Sequence, residues 1–93
     1  MFYVYILFSE KLNRYYVGTT DDIVRRLDEH NDGVYRDSYT SKGVPWVLKV
    51  YFSCATSKRA YDLERFIKKM KSRVFIEQII LNPEIVEDIL KKM

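Results

Sequence analysis

Arg26 and His30 stand four residues apart, which puts a cation and an imidazole one turn from each other on a single helix face. Just upstream, Tyr16 precedes Gly18 and sets an ionisable aromatic at the end of a strand-like run. Tyr5 lies in the middle of an earlier run, and Glu64 lies far downstream in LERFIKK. These residue types suit proton transfer and anion recognition: imidazole titrates near neutral pH, a guanidinium fork matches phosphate oxygens, and glycine lets backbone approach a ligand closely. One carboxylate makes a poor all-protein cation cage. It can still hold Mg²⁺, which keeps most of its waters and takes one or two carboxylates plus substrate phosphate oxygens. Each residue taken alone also has an ordinary explanation: a solvated helix face for Arg26 and His30, sheet packing for Tyr5 and Tyr16, and a helix ion pair of Glu64 with Lys68 worth about 0.3 kcal/mol.

The elements that must position these groups are legible in the pattern. FYVYILF and RYYVG are β-branched and aromatic runs joined by the turn-like SEKLN, which predicts a hairpin. On the first strand Tyr3, Tyr5 and Leu7 share one face, and Phe2, Val4 and Ile6 the other. Asp21 or Thr20 is expected to cap a helix with Ile23, Val24 and Leu27 at helical spacing, ending before Asn31-Asp32-Gly33. NDGVYRDSYTSKGVP is rich in turn formers and predicts a surface loop. WVLKVYFS predicts a third strand whose continuous apolar content implies burial on both faces or a central place in the sheet. Thr56 or Ser57 opens a long helix with Leu63, Phe66, Ile67 and Met70 as its inward stripe. RVFIEQIIL predicts a further short helix, and Asn82 caps a last one with Pro83 in its first turn. The fold class is α+β: a small three-stranded antiparallel sheet flanked by helices, in the order β-β-α-β-α-α-α.

With 93 residues the chain forms one domain, residues 1–93, with room for one core. The lone cysteine, Cys54, rules out an internal disulfide and any multi-cysteine metal site, and reads as buried packing. No stretch is long and apolar enough to cross a bilayer, and MFYVYILFSEK lacks the charged lead-in and cleavage site of a signal peptide. The expectation is a cytoplasmic protein with no membrane contact. A net charge of +3 and an isoelectric point near 9.0 favour a polyanionic partner. The cations cluster in the middle of the chain, which suggests one basic side.

Together the spacings resemble the GIY-YIG nuclease domain. The residues that carry the match are YVY at 3 to 5, YVG at 16 to 18, Arg26 and His30, and Glu64. The likeness runs to about the KSR at 71 to 73, and the whole looks like the small stand-alone bacterial members. Tyr3 stands where the first signature has glycine, and Gln78 is only a loose counterpart of an asparagine that some members carry after the metal glutamate. The resemblance implies hydrolysis of a DNA phosphodiester with one divalent cation, Mg²⁺ or Mn²⁺. It implies that Glu64 holds the metal, that Tyr16 is the general base, that Arg26 neutralises the scissile phosphate, and that Tyr5 and His30 orient the water or relay its proton.

A free phenol has a pKa near ~10, so only about one in a thousand is ionised at neutral pH, and something cationic must lower it. Gly18 is expected to open room for the phosphate between Tyr16 on the sheet and Arg26 and His30 on the helix. Arg36, Tyr39, Lys42, Lys68, Lys71 and Arg73, joined by Tyr35, Lys58 and Arg59, offer phosphate contacts and stacking surfaces for DNA. By family analogy the DNA is branched, nicked or flapped and read with weak sequence preference. A homodimer or a recruiting protein partner is compatible with the chain. Two other readings share the fold: a noncatalytic nucleic-acid-binding module, and a protein-contact domain that docks through its apolar C-terminal helix.

Overall fold

The computed structural model describes residues 1–32 and 39–93, with Tyr39 and Thr40 described in the backbone alone. Two strands, β1 (Phe2–Ser9) and β2 (Arg14–Thr20), lead into helix α1 (Ile23–Asn31). After the described gap come a short 3-10 turn at Tyr39–Gly43 and strand β3 (Trp46–Cys54), and then α2 (Ser57–Met70), α3 (Arg73–Leu81) and α4 (Glu84–Lys92). The element order is the one the sequence predicts, except that the loop-like stretch carries the 3-10 turn. The sheet is antiparallel throughout, with strand order β2-β1-β3.

Alternation along β1 divides the core in two. Val4 and Ile6 join Val17, Phe52 and Cys54 on one face, packed against Ala60, Leu63 and Ile67 of α2, Ile79 of α3 and Val86 of α4. Tyr5 and Leu7 join Trp46 on the other, where Leu12, Tyr16, Leu27 and Leu48 close over them. The sheet is therefore the middle layer, with α1 on one side and α2 to α4 on the other. Burying both faces of β1 removes its apolar surface from water, worth on the order of 2 kcal/mol for each fully buried Val, Leu or Ile.

Two expectations are corrected. The apolar run of β3 does not place it centrally; it is an edge strand, and Val47 and Tyr51 are exposed. The hairpin pairs β1 with β2, so β3 can join only at an outer edge, and it takes the free side of β1, a placement that hydropathy does not encode. A register shift between Ile6 and Leu7 leaves Lys49 as the extra residue of β3. On α2, Leu63 and Ile67 face inward with Ala60, whereas Phe66 and Met70 are exposed, Phe66 standing edge-on to Phe75 of α3 at 6.2 Å.

The helix caps differ as well. Asp22, not Asp21 or Thr20, caps α1 by accepting the Arg25 N–H at 3.0 Å, while Thr20 Oγ1 accepts the Asp22 N–H at 3.1 Å. Thr56 caps α2, as expected, through the Arg59 N–H. Asn82 makes no side-chain cap on α4; Pro83 occupies that position, and the Asn82 carbonyl accepts the Ile85 N–H at 3.1 Å. The Arg59 guanidinium donates to the carbonyls of Leu90 and Met93, which satisfies orphan acceptors at the C-terminal end of α4.

Candidate active site

Register decides which tyrosines meet. Leu7 pairs with Tyr16, and Tyr5 pairs with Gly18, so Tyr5, Tyr16 and Gly18 share the sheet face that α1 covers. A Cβ on Gly18 would stand 2.6 Å from Tyr5 Cζ and closer still to its oxygen. The space that Gly18 leaves is therefore filled by the Tyr5 phenol, where the sequence suggests room for a phosphate. Tyr5 is buried, and its Oη lies 3.1 Å from His30 Nε2, so that the two share a hydrogen bond whose donor depends on the imidazole tautomer. The Tyr16 ring completes the cluster. Its centroid is 5.0 Å from that of His30, 6.3 Å from Tyr5 and 6.1 Å from Trp46.

Helix α1 delivers His30 to this cluster. Leu27 packs over the sheet, and His30, three residues on along the same face at the end of the helix, is 3 % exposed. Asn31 fixes that end: its Oδ1 accepts the Trp46 N–H at 2.6 Å and its Nδ2 donates to the Trp46 carbonyl at 3.1 Å. Burial pushes the imidazole below its ordinary pKa, and the neighbouring Arg26 charge pushes the same way, against a smaller opposing pull from Glu29. His30 is therefore held neutral at pH 7. Arg26 itself is half-buried, with Nε 3.8 Å from Glu29 Oε1.

Glu64 belongs to the opposite layer. On β2 Thr19 points away from Tyr16 and toward α2, and its hydroxyl donates to Glu64 Oε1 at 2.9 Å. Lys68, one turn further along α2, has Nζ 3.4 Å from Glu64 Oε2 and 6.0 Å from the centroid of the Tyr16 ring. Because β2 is an edge strand, α2 can reach past it in this way. Glu64 is thus connected to the tyrosine side of the sheet through an ammonium. Among the described residues no three His, Cys, Asp or Glu side chains cluster. A half-buried carboxylate already oriented by a hydroxyl fits the hard-cation mode in which one carboxylate, waters and substrate phosphate oxygens share the ion.

The residues expected to meet DNA separate into groups. Arg36 and Tyr35 lie outside the described residues, as does the side chain of Tyr39. Lys42 on the 3-10 turn and Lys71 at the left-handed end of α2 are exposed. Lys58 is committed to Asp62 at 2.8 Å, and Arg59 to the end of α4. Arg73 clamps the hairpin turn: Nη1 and Nη2 donate to the carbonyl and side-chain oxygens of Asn13, both at 2.9 Å, and the guanidinium lies over the Tyr15 and Phe8 rings. Asn13 sits at φ 53°, the left-handed region in which asparagine is tolerated. Cys54 is buried and its thiol pushed up by burial, as a packing residue should be.

Sequence reading missed Thr19, Asn31 and Trp46. For Thr19 the signal is parity: counted from Tyr16, it falls on the face that α2 must cover, where a hydroxyl needs a partner. Nothing local marks Asn31 or Trp46, whose bond spans two elements.

The family model of the GIY-YIG catalytic domain matches residues 1–77 of the 93. Neither the curated proteins nor the solved structures include a match.

Proposed function

The chain belongs to the GIY-YIG family, and we propose that it is a metal-dependent DNA endonuclease with its site at the Tyr5–Tyr16–His30 cluster and Glu64. The family points to phosphodiester hydrolysis, acts on DNA and generally uses a divalent metal. The observation that carries the assignment of residues is the convergence of two phenols and an imidazole, with the Lys68 ammonium 3.4 Å from Glu64 and 6.0 Å from the centroid of the Tyr16 ring.

In this reading Glu64 holds one Mg²⁺ or Mn²⁺, which supplies Lewis-acid stabilisation of phosphate oxygens. Tyr16 is the general base toward the attacking water. His30 has a nitrogen lone pair because burial and Arg26 keep it neutral, and through its bond to Tyr5 it orients the water or passes its proton on. Arg26 meets the nonbridging oxygens, where negative charge grows in the transition state. Lys42, Lys68 and Lys71 contact the DNA backbone, which favours shape over sequence and suits branched, nicked or flapped substrates.

The test is a cleavage assay on flap, junction, nicked and linear DNA with Mg²⁺ or Mn²⁺. Glu64→Ala and Tyr16→Phe should each lose on the order of 10²-fold or more in rate. Cleavage by both variants at the parent rate would overturn the assignment. Salt-sensitive binding that ignores chelator, without cleavage, would instead identify a binding module.

A further inference from the structure

Glu64 and Lys68 have the spacing of an ordinary helix ion pair, and α2 supplies one for comparison. Lys58 and Asp62 stand 2.8 Å apart with the lysine side chain 84 % exposed. The Glu64 pair differs in three respects. The glutamate side chain is 22 % exposed against 33 % for Asp62, its other oxygen accepts a neutral hydroxyl from a different element, Thr19 on β2, where Asp62 Oδ1 has Arg65 of its own helix at 3.9 Å, and the Lys68 ammonium also lies 6.0 Å from the centroid of the Tyr16 ring. The carboxylate is therefore oriented at Oε1 and neutralised at Oε2 by a charge that adjoins the phenol.

We propose that Lys68 is an exchangeable counter-ion for Glu64: it neutralises the carboxylate before a divalent cation binds and yields Oε2 to that cation. This rests on the reading of Glu64 as a cation ligand. An ammonium and a divalent ion at one carboxylate oxygen repel each other, so cation loading becomes a competition between them. Lysine suits such an exchange because its charge rides on a flexible four-carbon stem, and more than half of this side chain is in water. Thr19 is the fixed partner, keeping the carboxylate oriented while Oε2 changes hands.

The test is a Mn²⁺ titration of the DNA-free protein, followed by paramagnetic broadening of the amide signals around residue 64. Lys68→Met should bind the ion about two- to fivefold more tightly, the range expected for removing a partly exposed ion pair. Lys68→Arg should stay near the parent. Lys69→Met, the same change in net charge at the adjacent exposed position, should shift affinity by less than half as much. If Lys68→Met binds no more tightly than Lys69→Met while Glu64→Gln abolishes the broadening, the counter-ion role is wrong and the ligand reading stands. If Glu64→Gln broadens like the parent, the ligand reading falls and the counter-ion role falls with it.

Discussion

Tyr5 and Gly18 face each other across β1 and β2, and the phenol occupies the volume a side chain at position 18 would need. The glycine of the second signature and the tyrosine of the first are therefore one packing unit. Gly18→Ala should destabilise the fold by about 1–3 kcal/mol, the usual cost of overpacking a filled site. Tyr5→Phe in the same chain should recover part of that loss, because the phenol oxygen is the atom nearest the added methyl. Urea unfolding of the two single variants and the double variant measures both effects; additive losses would contradict the contact.

The depressed pKa of His30 makes stability depend on pH with a definite sign. Above the unfolded value of about 6.5 the imidazole is neutral in both states, and its contribution is fully present. As pH falls below that value the unfolded chain takes up a proton that the folded chain resists, and stability declines until the folded pKa has been passed. The slope from one group is no steeper than about 1.4 kcal/mol per pH unit. Urea midpoints between pH 7.5 and 5 should fall more steeply for the parent than for His30→Gln. Arg26→Gln should move the His30 titration upward in an NMR series, since the guanidinium is one of the two depressing causes.

Arg73 and Lys42 are both basic, yet they should answer differently to truncation. Arg73→Ala should cost about 1 kcal/mol of stability, discounted for the partly exposed setting of its two bonds to Asn13. Arg73→Lys should restore only part, because a lysine cannot make the paired contact. Lys42→Ala should leave the urea midpoint unchanged and lower the slope of log affinity for DNA against log salt by about one. Equal effects of the two truncations on both measurements would contradict this division.

Local patterns in the chain were enough for the element order, for the alternation of Tyr5 and Val4 to opposite faces of β1, and for the one-face placement of Arg26 and His30. Each depends only on near neighbours and on the periods of strand and helix. The tertiary structure alone decided that β3 joins the free side of β1 and not that of β2, since the hairpin leaves an outer edge on each of its strands. It also decided that Gly18 serves Tyr5, that Arg73 braces the hairpin turn, and that Thr19 holds the second oxygen of Glu64, whose pairing with Lys68 the helical spacing already offered. Those contacts join residues up to 60 apart in sequence, and they are set by register and by how α2 passes an edge strand, quantities no local pattern carries.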